Sequence, residues 1–329
     1  LTREAIISMS ISLKKYPINN KELISFFLSL VSGQFRPNNS WDKRKFRIKF
    51  ALRSLVFPVT TFHYLSQLVK ITDFPKLLTI QGLLPAKLHR PYLRTGFSTA
   101  QRAQAIIDHY TSLDQLDSLV LRKLMQNYND TPLASFTGKN NTSFLVICCP
   151  ASFDREGEIT LILLYEKLLV ASLSFSIIQE NKQKTLLIGG LQGPRHVTSI
   201  NTIRDATKAM YGIFPKRLLV EVAYILAELC NIKKIAAVSD RTHVFYSLRY
   251  RYSKKHKFFA SYNEFWISLG GKTRKDNMFD LPTYIKRKNT QEIVSKKRSE
   301  YRRRSILLDN LIEQIYQTAC VKRNILHNL

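Results

Sequence analysis

The chain has 329 residues, of which 45% are hydrophobic and 23% charged, with 11 Gly and 11 Pro. A chain of this size buries about three quarters of its unfolded surface, which excludes fibrous, low-complexity and wholly disordered classes. The departure from average is charge: 51 Lys and Arg against 24 Asp and Glu leave a net charge of +27, suited to an anionic partner (inner-membrane lipid, RNA or an acidic protein) or to a solvated basic face.

The N-terminal third reads as helical. Asn20 is expected to cap a helix through Phe26, Phe27 and Leu30 to Gly33, with Pro37 beyond it. From Trp41 to Arg53 and on to Val56, Phe46, Phe50 and Val56 fall on one helical stripe. Leu52 and Leu55 lie alongside, and basic residues occupy the other face. Residues 76–96 are rich in Pro, Gly and basic residues, and helical periodicity resumes over 98–128.

Near residue 130 the composition shifts. Asn129–Pro132 and Gly138–Thr142 read as linker and turn. Strands are expected over 144–149, 159–165, 168–178 and 184–190, with Glu166–Lys167 closing a hairpin. Helices follow at 199–211 and 215–230, the second opened by Pro215, and then a short strand at 234–239. This order implies a mixed sheet with helices packed on it. Over 144–193 the charge is nearly balanced, whereas 251–305 carries sixteen Lys or Arg against five Asp or Glu. A last helix over 292–320 places its basic residues in its N-terminal half, against the helix dipole. The expected fold is α+β: a helical region over 1–135, then an α+β domain over 136–329 with a basic C-terminal helix.

Cys148, Cys149, Cys230 and Cys320 show no C-x-x-C spacing, so free thiols in a reducing compartment are expected and no metal site. No run of 18 apolar residues is present, nor the continuous apolar core of a signal peptide. Leu1 stands where an initiator Met is expected. The chain reads as cytoplasmic, or as peripheral to the inner membrane.

Three stretches could carry chemistry. Leu186–Arg195 places Gly189, Gly190 and Gly193 at a strand end before a helix, with Gln192 and Arg195 among them. Such a turn can hold a phosphate on backbone amides, or serve only for close packing. Ser239–His243 follows a strand, where α/β sheets often place active sites. Asp240 is expected to cap the helix that holds His243, and His243 itself is a candidate base. Glu156, Glu158 and Glu166 are isolated carboxylates that could include a general base, Glu158 being the catalytic candidate among them. Arg249, Tyr250, Arg251, Lys254, Lys255, Lys257 and Trp266 interleave charge with aromatic rings. That pattern suits single-stranded nucleic acid or a membrane interface, or an edge whose aromatics are core.

Several strings occur together: Lys87-Leu-His-Arg-Pro-Tyr-Leu93, Arg155-Glu-Gly-Glu158, Leu173-Ser-Phe-Ser176 and Ile188-Gly-Gly-Leu-Gln-Gly-Pro194. Ile203-Arg-Asp-Ala-Thr-Lys208, Pro215-Lys-Arg-Leu-Leu219 and Ala237-Val-Ser-Asp-Arg-Thr-His-Val244 follow. Phe265-Trp-Ile-Ser-Leu-Gly-Gly271 and Ser295-Lys-Lys-Arg-Ser-Glu-Tyr-Arg-Arg-Arg304 complete the set. From about residue 40 to 315 the chain resembles the VirK/YbjX family of enterobacterial proteins. The resemblance implies a virulence-associated accessory role: expression or correct surface localisation of an outer-membrane protein, and envelope resistance to cationic peptides. It implies no reaction, no established cofactor and no catalytic residues.

A second likeness is to the element order of GNAT acyltransferases. Those enzymes hold the coenzyme A pyrophosphate on [QR]-x-x-G-x-[GA]. Gln192-Gly-Pro-Arg195 departs from that pattern, and Pro194 removes an amide donor. Two alternatives to the accessory role therefore stand: an acyl or aminoacyl transferase, with acyl-coenzyme A as one donor, and a post-transcriptional RNA-binding regulator.

Overall fold

The computed structural model describes residues 19–126, 131–150, 153–193, 199–247, 261–285, 287 and 293–321. The chain divides into two compact units. The first comprises residues up to Tyr92 together with Gly96–Gln115; the second comprises Leu93–Thr95 and the chain from Leu116 onward.

In the first unit, helix α1 (Asn20–Ser32) is capped by Asn19 rather than Asn20. Asn19 Oδ1 accepts from the Glu22 amide, and Glu22 accepts from the Asn19 amide. This capping box satisfies two amides at the helix start. Gly33 ends the helix at φ 84°, a left-handed position that favours glycine. Helix α2 (Arg44–Val56) is followed by α3 (Pro58–Leu68), α4 (Phe74–Ile80) and α5 (Thr99–Asp114). Pro58 opens α3, and a Ser98/Gln101 capping box opens α5. The stripe expected on α2 is not its buried face. Phe50 and Ser54 face inward, whereas Leu52, Leu55 and Val56 are exposed. Phe50 is drawn in by ring contacts to Phe27, Trp41 and His89, and the other apolar residues then lie on the outer side.

The second unit begins with α6 (Leu119–Gln126), which packs on strand β2. That packing puts α6 in the second unit, ahead of the boundary expected near 135. Among the described residues eight strands form one sheet. They are β1 (Ala134–Thr137), β2 (Ser143–Pro150), β3 (Ile159–Tyr165), β4 (Leu168–Glu180), β5 (Gln183–Gln192), β6 (Lys234–Ala237), β7 (Lys272–Thr273) and β8 (Phe279–Leu281). Their order is β1-β2-β3-β4-β5-β6-β8-β7. Neighbours are antiparallel except β5 and β6, which run parallel.

Two of the antiparallel hairpins close on two-residue turns. Glu166–Lys167 (φ 47° and 65°) joins β3 to β4, and Asn181–Lys182 (φ 52° and 64°) joins β4 to β5. Positive φ at both central residues matches the right-handed twist of the flanking strands. The parallel pair needs a longer crossover, supplied by α7 (Ile200–Ala209) and α8 (Pro215–Leu229). Helix α8 buries Leu218, Leu219, Val222, Ala223 and Leu226, and packs on β3, β4 and β5. Helix α9 (Tyr262–Ser268) follows β6, and α10 (Ser295–Thr318) packs on β1 and α8. The fold is thus α+β: N-terminal helices, a mixed sheet and a C-terminal helix.

Candidate functional site

Strands β5 and β6 pair from Thr185/Lys234 to Ile188/Ala237, and the Val238 amide donates to Ile188 O. Beyond that point β6 has ended, while β5 continues to Gln192. The register between β4 and β5 shifts at Gly189: Phe175 pairs with Ile188 and Ser174 with Gly190. This bulge leaves Gly189 as the extra residue on β5. A crevice at the carboxyl ends of parallel strands is the usual ligand position in open sheets.

Glu156 fills this place. It comes from the β2–β3 connection, where its amide donates to Phe153 O and the Glu158 amide to Phe175 O. Gly157 is obligatory, since a Cβ there would overlap the Phe175 backbone. A Cβ on Gly189 would overlap the Glu156 carbonyl, and one on Gly190 the Glu156 carboxylate. These two glycines are therefore in-strand residues that admit Glu156.

The Glu156 side chain is 1% exposed. Its Oε1 accepts from Gln192 Nε2 at 2.6 Å and lies 3.2 Å from His243 Nε2. Among the described residues its Oε2 is buried without a hydrogen-bond partner. A buried carboxylate with one oxygen held and the other uncommitted has a lone pair available for an incoming proton.

His243 is fully buried. Its Nδ1 accepts from the Phe245 amide at 3.3 Å, and its Nε2 lies 3.2 Å from Glu156 Oε1. His243 itself caps the short 3₁₀ turn Val244–Tyr246. Asp240, expected in that role, instead accepts from the Tyr262 amide at 2.7 Å, and its own amide donates to Asn263 Oδ1 at 3.1 Å. The Ser239–Thr242 turn is held by mutual hydroxyl and amide bonds.

Tyr262 and residues 93–95 complete the surroundings. The Leu191 amide faces the edge that β6 no longer covers, and it donates to Tyr262 Oη at 3.1 Å. Burial, followed by the neighbouring Glu156, raises the Tyr262 phenol well above its ordinary range, so the hydroxyl stays neutral. The Leu93 amide donates to Arg155 O and the Thr95 amide to Thr242 O. One three-residue segment thus ties the chain beside Glu156 to the chain beside His243. Neither Tyr262 nor this strap was expected from sequence. The strap's only sequence mark was its place at the end of the Lys87–Leu93 string.

The other expected residues fall as follows. Glu158 is also buried, its amide bonded to Phe175 O and Ser176 Oγ, but the carboxylate beside His243 is that of Glu156. Gly193 follows β5, and a Cβ there would make only ordinary contact with the Lys216 side chain at 3.9 Å. Arg195, Arg249, Tyr250, Arg251, Lys254, Lys255 and Lys257 lie outside the described residues. Trp266 is not on a surface. It is fully buried, and its indole N–H donates to Val238 O at 2.8 Å. Its large apolar ring is drawn into the core because Val238 O offers an acceptor for its one polar atom. Among the described residues no group of three His, Cys, Asp or Glu is placed to hold a metal ion, and no helix is long and apolar enough to cross a membrane.

A mixed sheet with a buried acid and imidazole at the carboxyl end of its parallel strands defines the candidate site of this α+β protein. The chain belongs to the family described as a protein of unknown function, DUF535, whose model matches residues 39–317. This is the VirK/YbjX group. The chain is 40% identical over 301 residues to the uncharacterized protein YbjX of Escherichia coli K12, covering 91% of each chain. It is 35% identical over 144 residues to an uncharacterized protein of Haemophilus influenzae, covering 44% of this chain and 46% of that one. No solved structure matches.

Proposed function

We propose that the second unit is a group-transfer enzyme of the acyl- or aminoacyl-transferase kind, with Glu156 as its general base. The observation that carries this reading is the Glu156 carboxylate, fixed through Oε1 and uncommitted at Oε2. The element order around β5 and β6 also resembles that of GNAT acyltransferases, a likeness of fold that sets no substrate.

In this reaction the nitrogen of an acceptor amine attacks the donor's carbonyl carbon. A C–N bond forms and the bond to the leaving oxygen breaks. Glu156 takes the amine proton, and a proton returns to the leaving oxygen. Gln192 and His243 are positioning residues. The Phe245 amide occupies Nδ1 of His243, and Nε2 lies 3.2 Å from Glu156 Oε1.

The residues fit coenzyme A poorly. Gly189 and Gly190 are taken up by Glu156, and Gln192 is bonded to it. The favoured donor is an aminoacyl ester carried on RNA, whose phosphates the net charge of +27 attracts. A basic aminoacyl group such as lysyl, placed on an amine of an envelope component, replaces one ammonium by two and so repels cationic peptides. In this way the reading meets the resistance to cationic peptides that the family resemblance implies.

The second reading is an accessory factor acting through a basic face alone, as an RNA-binding regulator or a protein partner. Exposed Lys296, Lys297, Arg298, Arg302 and Arg303 on α10 favour it. A thermal-shift screen with aminoacyl-RNA, uncharged RNA and acyl-coenzymes A, at low and high salt, separates the two. The enzyme reading expects aminoacyl-RNA to stabilise more than uncharged RNA, with the difference surviving salt. Equal stabilisation by both RNAs, fading together with salt, overturns it in favour of the basic face.

A further inference from the structure

Helix α2 buries one face and leaves the opposite one apolar. Phe50 and Ser54 point inward, and Phe50 is locked by rings of Phe27, Trp41 and His89 at 5.5, 5.1 and 5.9 Å. On the outer side Ile48, Leu52, Leu55 and Val56 recur at helical spacing with 48%, 58%, 73% and 68% exposure. The apolar stretch continues around the corner into α3 through Phe57 (44%) and Val59 (82%). A contiguous run of this kind on one helix face is the mark of an interaction surface.

Its charge setting selects the partner. Residues 43–72 contain no Asp or Glu. Arg47 and Arg53 are turned to the protein, donating to the carbonyls of Trp41 and His89. Arg44, Lys45 and Lys49 are exposed in the N-terminal half of the same helix. The helix therefore carries free cations at one end and large apolar side chains at the other. A soluble protein partner would need an acidic rim around an apolar groove, whereas an anionic bilayer presents both layers everywhere. We infer that the α2–α3 corner docks on an anionic lipid surface, with Leu52, Leu55, Val56 and Val59 entering the acyl boundary and Arg44, Lys45 and Lys49 at the headgroups.

The test is sedimentation of the full chain with vesicles of phosphatidylethanolamine and phosphatidylglycerol, against vesicles of phosphatidylcholine alone. Binding is expected to the anionic vesicles. The variant Leu52→Ser/Leu55→Ser/Val56→Ser, folded by circular dichroism because these side chains are already exposed, should bind at least about tenfold more weakly. Lys45→Glu/Lys49→Glu should bind more weakly only at low salt. Unchanged binding by the triple-serine variant, with loss on charge reversal of Lys296, Lys297 and Arg298, would overturn the proposal. So would absence of vesicle binding by the wild type. In that case a drop in sedimentation coefficient of the triple-serine variant would identify a second copy as the occupant.

Discussion

The carboxylate of Glu156 occupies the space that any side chain at Gly190 would need, since a Cβ on Gly190 would overlap Oε2 of Glu156. The acid and the glycine are 34 positions apart in sequence and are compatible only as a pair. Gly190→Ala should therefore cost about 1–3 kcal/mol, as overpacking of a well-filled interior does. In a Glu156→Ala background the same substitution should cost little, because the space has been vacated. Urea denaturation of the four proteins in this cycle measures the coupling; purely additive effects would show that Glu156 does not stand over residue 190.

Tyr262→Phe removes the acceptor of the buried Leu191 amide while leaving the ring in place. An unsatisfied buried donor costs about 1–3 kcal/mol. The loss should appear as a lower urea midpoint with an unchanged slope. A midpoint equal to wild type would show that the Leu191 amide has another acceptor.

The first unit should be sensitive to mild acid. Burial, then Arg53 and Arg102, lowers the His89 pKa from 6.5 to about 4, while burial, then Lys87, lowers that of fully buried His109 to about 3. Both folded values lie below the unfolded one. Their stabilising contribution is complete above pH 6.5 and is lost as pH falls toward 4 and 3. Each adds a slope of up to about 1.4 kcal/mol per pH unit in that window. Hydrogen exchange of α5 amides, corrected for intrinsic rate, should show protection falling from pH 6.5 to 4.5, and falling less in His109→Phe. A flat profile in the wild type would contradict this.

Much of the sheet was legible because its strands are long and bounded by turn residues. Ile159–Tyr165 carries its own pattern, and Glu166–Lys167 marks its end. The short strands Ala134–Thr137, Lys272–Thr273 and Phe279–Leu281 hold too few residues for any period to show; they exist because neighbouring strands offer them partners. The site was half legible. His243 and the Gly189–Gly190 pair stood out by residue type. Glu156 was one of several isolated acids, and only the bulge at Gly189 and the close approach at Gly190 single it out. Trp266 was misplaced because basic neighbours say nothing about where an indole N–H will find an acceptor. The outer face of α2 was read as core for a similar reason: its apolar residues surround the helix, and packing alone decides which side is covered.

The most direct test is aminoacyl transfer from charged RNA to an amine acceptor, followed as release of the RNA's free 3′ end, for wild type, Glu156→Gln and His243→Asn. Gln keeps the shape and the bond partner of Glu156 but cannot take a proton. Glu156→Gln should bind charged RNA as the wild type does and lose about 100-fold or more in rate. His243→Asn should retain part of the rate. Equal rates in wild type and Glu156→Gln would contradict a role for Glu156 as the base.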